Sequence, residues 1–311
     1  MRREIDTNSA VIRTSSAYLD GILGHAYPVL DHGFSRIVDY MGDDYAIKAA
    51  AQTSYRDGNN KLSKGLGVLN YLMRHWHTSP FEMCELKLHQ QMPIFVARQW
   101  VRQRTASLNE FSGRYSIMPD LYYVPDLDRI QKQSMENKQG SGEPFDPEEA
   151  DYIRNTIIMR SDEAFVDYKL MIDKGMAKEL ARIILPQNTY TQWYWKIDLH
   201  NLFNLLYQRL DHHAQWEVRQ YAEAVWVHVQ QWVPHAAKAF NLYRQHSQTF
   251  SARELTALSL LIDNDTAREQ MAALHNLDVE GLAQSSEGTF SAGEWKEFLG
   301  KMDKLASLTI A

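Results

Sequence analysis

The chain has 311 residues, of which 44% are hydrophobic and 23% charged, the make-up of an ordinary soluble globular protein with enough apolar material for a sizeable core. A net charge of −6 argues against nucleic acid or an anionic membrane as partner, and no apolar run approaches the length needed to span a bilayer. The single cysteine, Cys84, excludes an internal disulfide and a multi-cysteine zinc site; with no apolar leader behind Met1-Arg2-Arg3, a cytoplasmic protein is expected.

Residues 1–32 lack a period and read as an N-terminal arm. Phe34, Ile37 and Val38 predict a strand within Gly33 to Met41, and Asp43 to Tyr55 reads as a helix opened by paired aspartates. Leu62, Leu66, Leu69, Met73 and Trp76 fall at steps of four and three, one face of a helix. His77-Thr78-Ser79-Pro80-Phe81-Glu82 then forms a corner broken by the proline. Cys84, Leu86 and Leu88 alternate with polar residues as in a half-buried strand, and Ile94 to Arg102 is helical. The same strand-then-helix order recurs in Thr189, Thr191, Trp193, Trp195 and Ile197, followed by Leu199, Leu202, Phe203, Leu206 and Leu210. Between them, Gln131 to Pro147 is rich in Gln, Gly, Ser, Lys and Glu and reads as a mobile loop or insertion. After about Pro234 the chain turns to Ala-rich helices interrupted at Asp263-Asn264-Asp265 and Ser285-Ser286-Glu287-Gly288.

The chemistry concentrates in residues 102–116, which hold three arginines, a glutamate, three serines and a glycine. Guanidiniums fork onto phosphate oxygens, hydroxyls donate to them, and a glycine admits close backbone approach, so this density points to an anion such as a nucleotide phosphate. The alternative is a surface network of Arg–Glu pairs. Arg98 and Arg102 share a helix face with Gln99, and clustering Arg98, Arg102, Arg104 and Arg114 is costly unless anions intervene; only Glu110 stands in the segment itself. Arg209 lies beside an apolar stripe, where it needs either a ligand or a salt bridge with Asp198 or Asp211, and Arg182 sits in the same predicament.

No metal-ligand spacing emerges: there is no His-Glu-x-x-His, and His212 and His213 are neighbours expected to point apart on a helix. No metal site is expected. Cys84 falls on the apolar side of its strand, where a thiol stays protonated, so reactivity must be borrowed from a cofactor.

These residues resemble the flavin-dependent thymidylate synthases. The family signature is Arg-His-Arg, seven residues, then Ser; here it stands as Arg102-Gln103-Arg104 and Ser112. The likeness extends through Pro93 to Trp100, Asn109 to Ser116, His77 to Glu82, Ala181 to Pro186, Asp198 to Phe203, Arg209 and His213 to Glu217. It implies an α+β fold, an antiparallel or mixed sheet packed with long helices, in which residues 33–235 form the synthase domain and residues 236–311 a C-terminal helical extension. It also implies a homotetramer with sites between subunits, binding flavin adenine dinucleotide (FAD) and dUMP. Methylenetetrahydrofolate gives the carbon and NADPH the hydride, and no cysteine nucleophile is used.

By the same resemblance, Arg209 is the catalytic residue, contacting the uracil ring. Gln99, Arg102, Glu110, Ser112, Gly113, Arg114 and Arg182 would hold the nucleotide with it. His77, Ser79, Arg102, Gln103, Arg104, Glu110, Asp198, His200 and Asn204 would hold FAD, with His77 also near the folate. Gln103 departs from the signature histidine, keeping a donor and an acceptor while losing the titratable ring. Two other readings of these residues stay open: a flavoenzyme that hydroxymethylates dUMP, and a nucleotide-binding homologue without turnover.

Overall fold

The computed structural model describes residues 13–53, 65–135, 140–261, 294, 296–298, 300 and 301. They fall into two compact units, Met1–His246 and Ser247–Ala311. The first carries, in chain order, α1 (Ala17–Ile22), β1 (Ala26–Val29), β2 (Gly33–Met41), α2 (Asp44–Gln52), α3 (Val68–Arg74), α4 (Ser79–Glu82), β3 (Glu85–Pro93), α5 (Ile94–Trp100), β4 (Ser107–Glu110), β5 (Gln131–Gln133), β6 (Ser141–Pro144), α6 (Pro147–Asp173), α7 (Lys178–Ala181), β7 (Tyr190–Asp198), α8 (Leu199–Arg209), α9 (Trp216–Trp232) and α10 (Pro234–Phe240). The fold is α+β. One sheet runs β1-β2-β3-β7-β4 with every neighbour antiparallel, and β5 and β6 form a separate ribbon.

Alternation sets the sheet. Leu86, Leu88, Gln90 and Met92 of β3 face inward, opposite Trp193, Trp195 and Ile197 of β7. The buried Gln90 side chain is satisfied on both ends, donating to Ser35 Oγ at 3.3 Å and accepting from the Trp193 indole at 3.3 Å. Helices α8, α9 and α10 join the same core through Leu202, Leu206, Val225, Val229 and Phe240. Tyr221 of α9 donates its hydroxyl to the Gln91 carbonyl at 2.6 Å, and the space it takes explains Gly33: a methyl there would overlap that hydroxyl and sit 2.6 Å from the Val29 carbonyl oxygen. Helix α10 is capped from a distance, its His235 and Ala236 N–H groups donating to Asp44 at 2.8 and 2.9 Å.

Several expectations change. Residues before Gly33 contribute α1 and β1, and β1 pairs with β2. Trp76 does not extend the apolar face of α3: the helix ends at Arg74, Trp76 takes a left-handed φ of 57°, and its exposed ring lies under the Arg244 guanidinium. The described part of Gln131 to Pro147 is a ribbon rather than a plain loop, invisible to periodicity because its strand residues are almost all exposed. It leads into the 27-residue α6, whose sides are mostly wet. Leu62, Tyr55 and both polar breaks after residue 262 lie outside the described residues. Beyond His246, α11 (Ala252–Leu261) opens on a reciprocal cap, Ser251 N–H to Glu254 at 2.7 Å and Glu254 N–H to Ser251 Oγ at 3.3 Å. No described helix is long and apolar enough to cross a membrane.

Candidate active site

The arginine-rich segment starts where α5 ends. Val96, Ala97 and Trp100 bury one face of that helix, Trp100 meeting Trp195 edge-on with ring centroids 5.6 Å apart. The opposite face is therefore turned outward, leaving Arg98 and Arg102 exposed and Gln99 half-buried. From there the chain runs to β4, which pairs with residues 193–196 of β7 as the outermost strand and exposes all its residues. No described acid pairs with Arg98, Arg102 or Arg104.

Arg209 ends α8. Its Nη2 donates to the Gln99 carbonyl oxygen at 3.0 Å, while Nε is buried without a partner. The guanidinium is held below its usual range, first by burial and then by the nearby charge of Arg102, so an approaching anion would relieve both penalties. The internal salt bridge considered from sequence is not formed. Asp198 is occupied as the N-cap of α8, accepting from Asn201 N–H at 2.9 Å and Asn201 Nδ2 at 2.7 Å, and Asp211 is engaged by His213 at 2.8 and 2.9 Å.

Two chains of carboxamides lead into this region. Gln103 Nε2 donates to Thr105 Oγ1 at 2.7 Å and to Asn201 Oδ1 at 3.3 Å, so Asp198, through Asn201, fixes which way Gln103 faces. The position of the family histidine is thus taken by an oriented amide with its oxygen left over. On the other side, Gln99 Nε2 donates to Gln215 Oε1, and Gln215 Nε2 donates to Glu217 Oε2 at 2.9 Å. Asn201, Gln215 and Glu217 were not singled out individually from sequence; the partners lie up to 116 residues apart, and only their inclusion in matching motifs hinted at them.

A second group gathers beyond β4. Glu110 accepts from Thr191 Oγ1 at 2.7 Å and forms no ion pair with a described arginine. Arg114 pairs with Glu179 at 3.0 Å, so this arginine does have a carboxylate partner. Arg182 is exposed rather than wedged beside a buried stripe, because it follows the single turn of α7 and only Ala181 enters the core. Gly113 packs under it: a Cβ there would lie 2.8 Å from Met118 Sδ and 3.2 Å from Arg182 Cδ. Ser112 Oγ accepts from the Arg114 N–H at 3.3 Å. Among the described residues, no hydrogen bond or ion pair joins this group to Arg209 and Gln99.

Of the remaining expected residues, His200 and Asn204 sit four apart on α8, joined at 3.2 Å. His77 and Ser79 lie at the α3–α4 corner, both exposed, His77 beside the Tyr71 ring at 5.7 Å. Helix α4 packs on α8 through Phe81 and Phe203. His212 and His213 lie past the end of α8 rather than on it, and their rings meet at 3.7 Å around Asp211 instead of pointing apart. Cys84 is fully buried, its thiol pushed up to about 12, chiefly by burial.

Residues 36–235 match the sequence model of a family described as thymidylate synthase complementing protein. The chain is 46% identical over 290 residues to the flavin-dependent thymidylate synthase of Ruegeria pomeroyi, covering 92% of this chain and 91% of that one. The chain belongs to the flavin-dependent thymidylate synthase family. Another member, from Wolbachia pipientis wMel, is 44% identical over 297 residues, 96% of this chain and 99% of its own. Among solved structures, a UMP/dUMP methylase, PolB from Streptomyces cacaoi, bound with 5-Br dUMP, superposes with a TM-score of 0.63 at 28% identity, covering 71% of this chain and 100% of that one. As a family member the chain is an enzyme, and the antiparallel sheet with its flanking helices is the family architecture.

Proposed function

We propose that this enzyme converts dUMP to dTMP, with methylenetetrahydrofolate as carbon donor, NADPH as reductant and FAD as bound cofactor. The observation that carries the reading is that Arg98, Arg102, Arg104 and Arg209 find no carboxylate partner among the described residues, while burial and then the nearby charge of Arg102 hold the Arg209 pKa down. Such a group fits a pyrophosphate and a nucleotide phosphate, the anions that FAD and dUMP carry.

In this reading Arg102, Gln103, Arg104, Glu110, Asp198, His200 and Asn204 hold FAD, with His77 and Ser79 at the ring end. Bound FAD supplies the passage of hydride from NADPH to the transferred carbon. Gln99, Arg102, Glu110, Ser112, Gly113, Arg114 and Arg182 hold dUMP. Arg209, already partly desolvated and lacking an anionic partner, stabilises negative charge on the uracil ring and so makes its carbon five nucleophilic. Two separate groups of expected nucleotide ligands within one chain support a site completed between subunits. So do Tyr152, Met159, Val166 and Leu170, which α6 leaves exposed. A homotetramer accommodates both, and the lone reduced cysteine suits the cytoplasm.

The test is to incubate the pure protein with dUMP, methylenetetrahydrofolate and NADPH and weigh the product. A mass increase of one methylene confirms dTMP; a further oxygen indicates hydroxymethylation; ligand binding without product indicates a non-catalytic homologue.

A further inference from the structure

Glu217 is a carboxylate in the first turn of α9 with its side chain only 9% exposed. Nothing in the reaction calls for it directly. It is held by Arg129 at 3.7 Å and by the Tyr123 hydroxyl at 3.3 Å, and the Arg129 guanidinium is in turn braced over the Trp216 ring at 4.6 Å. A buried carboxylate paired with a cation accepts hydrogen bonds and donates none.

That one-way character propagates. The group Gln215 turns toward Glu217 must be its NH2, which leaves Oε1 facing Gln99. Gln99 must then meet that oxygen with its own NH2, which leaves its Oε1 as an acceptor to which no described residue donates. An unaided glutamine can flip its amide at little cost, presenting donor or acceptor as the ligand asks. Here a flip of Gln99 alone sets its oxygen against that of Gln215, and a flip of Gln215 to follow it sets an oxygen against the Glu217 carboxylate.

We propose that Glu217, acting through Gln215, is a positioning residue that locks Gln99 as a hydrogen-bond acceptor toward the nucleotide, so that the enzyme selects a substrate bearing a donor at that point. This rests on the proposed binding of dUMP at Gln99. The donor is either the ring N3–H or the sugar 3′-hydroxyl, and a ligand offering only a lone pair there is refused by an unpaired acceptor.

The experiment is calorimetric titration of the FAD-loaded enzyme with dUMP, with 3-methyl-dUMP and with 2′,3′-dideoxyuridine monophosphate, in wild type, Glu217→Met and Gln215→Met, since a methionine at either position removes the acceptor or the relay. Wild type is expected to bind one analogue roughly tenfold more weakly than dUMP, and that analogue names the donor. In both variants the ratio falls toward one while the other analogue is unaffected. Gln215 is exposed, so Gln215→Met keeps the test valid if Glu217→Met folds poorly. Variants that keep the wild-type ratio, or weaken all three nucleotides equally, overturn the proposal, as does a wild type that binds dUMP yet ranks the three alike. A wild type that binds none of them defeats the functional reading itself.

Discussion

The guanidinium of Arg209 and the main-chain carbonyl of Gln99 meet at 3.0 Å, tying the last turn of α8 to the last turn of α5. One nitrogen is thereby fixed by backbone, which a change of side chain at position 99 cannot remove, while the rest of the fork keeps its capacity to meet an anion. Replacing Arg209 with alanine should lower kcat about 10²–10³-fold, as expected for loss of one preorganised electrostatic group. Affinity for dUMP should change far less, because the charge it meets develops as the reaction proceeds. Single-turnover kinetics beside equilibrium titration separate the two; equal losses would reduce Arg209 to an anchor.

Gln103 uses both contacts of its nitrogen inside the chain, on Thr105 and Asn201. Gln103→Glu removes both donors and sets a negative charge between Arg102 and Arg104, in competition with the cofactor's pyrophosphate. Its FAD dissociation constant should rise about tenfold or more, measured by quenching of flavin fluorescence. An unchanged constant would place the flavin away from this amide.

Strands β2, β3 and β7 and helix α8 were legible in sequence because one face of each is buried, and alternation or a three-four step records that burial residue by residue; β1, within the arm read as lacking a period, and β4, exposed throughout, were not. Trp193, Trp195 and Ile197 are each nearly inaccessible, as their spacing implied. Helix α6 was not legible for the converse reason: along 27 residues only Ala150, Ser161, Phe165 and Tyr168 are buried, too sparse to print a stripe. The arginines of the site stood out by density, whereas their orienting partners did not, since hydrogen bonds between Gln99, Gln215 and Glu217 leave no periodic trace. Arg114 shows the limit of charge counting, because Glu179, outside its segment, already meets it.

Gly33→Ala should destabilise the enzyme by about 1–3 kcal/mol through overpacking, since the added methyl meets the Tyr221 hydroxyl and two backbone carbonyls. Adding Tyr221→Phe should restore only part of the loss, because the carbonyls of Val29 and Gln91 remain. Denaturant midpoints of the single and double variants test this; strict additivity would mean the hydroxyl is not the obstacle.

Asp44→Ala should cost about 1–3 kcal/mol by orphaning the His235 and Ala236 N–H groups at the start of α10. Asp44→Asn, which keeps an acceptor, should cost less. The order of the two melting temperatures checks the claim.

Burial, and then the neighbouring charge of His25, holds the His228 pKa below its ordinary value, with the Tyr18 hydroxyl 2.8 Å from its Nδ1. The unfolded chain therefore takes up this proton more readily than the folded one. Stability should fall as pH drops through the unfolded value of about 6.5, and be fully present above it. Urea unfolding between pH 5 and 8 measures the slope, and His228→Gln should flatten it in that window.

Cys84 gives the molecule a clock. With one thiol in the whole sequence, sealed in the core and kept protonated at neutral pH, an alkylating reagent has nothing to react with until the sheet parts from α2. Labelling at this sulfur therefore counts excursions of the native state, and a ligand that clamps the fold will register as a slower tick without any change in the reagent's chemistry.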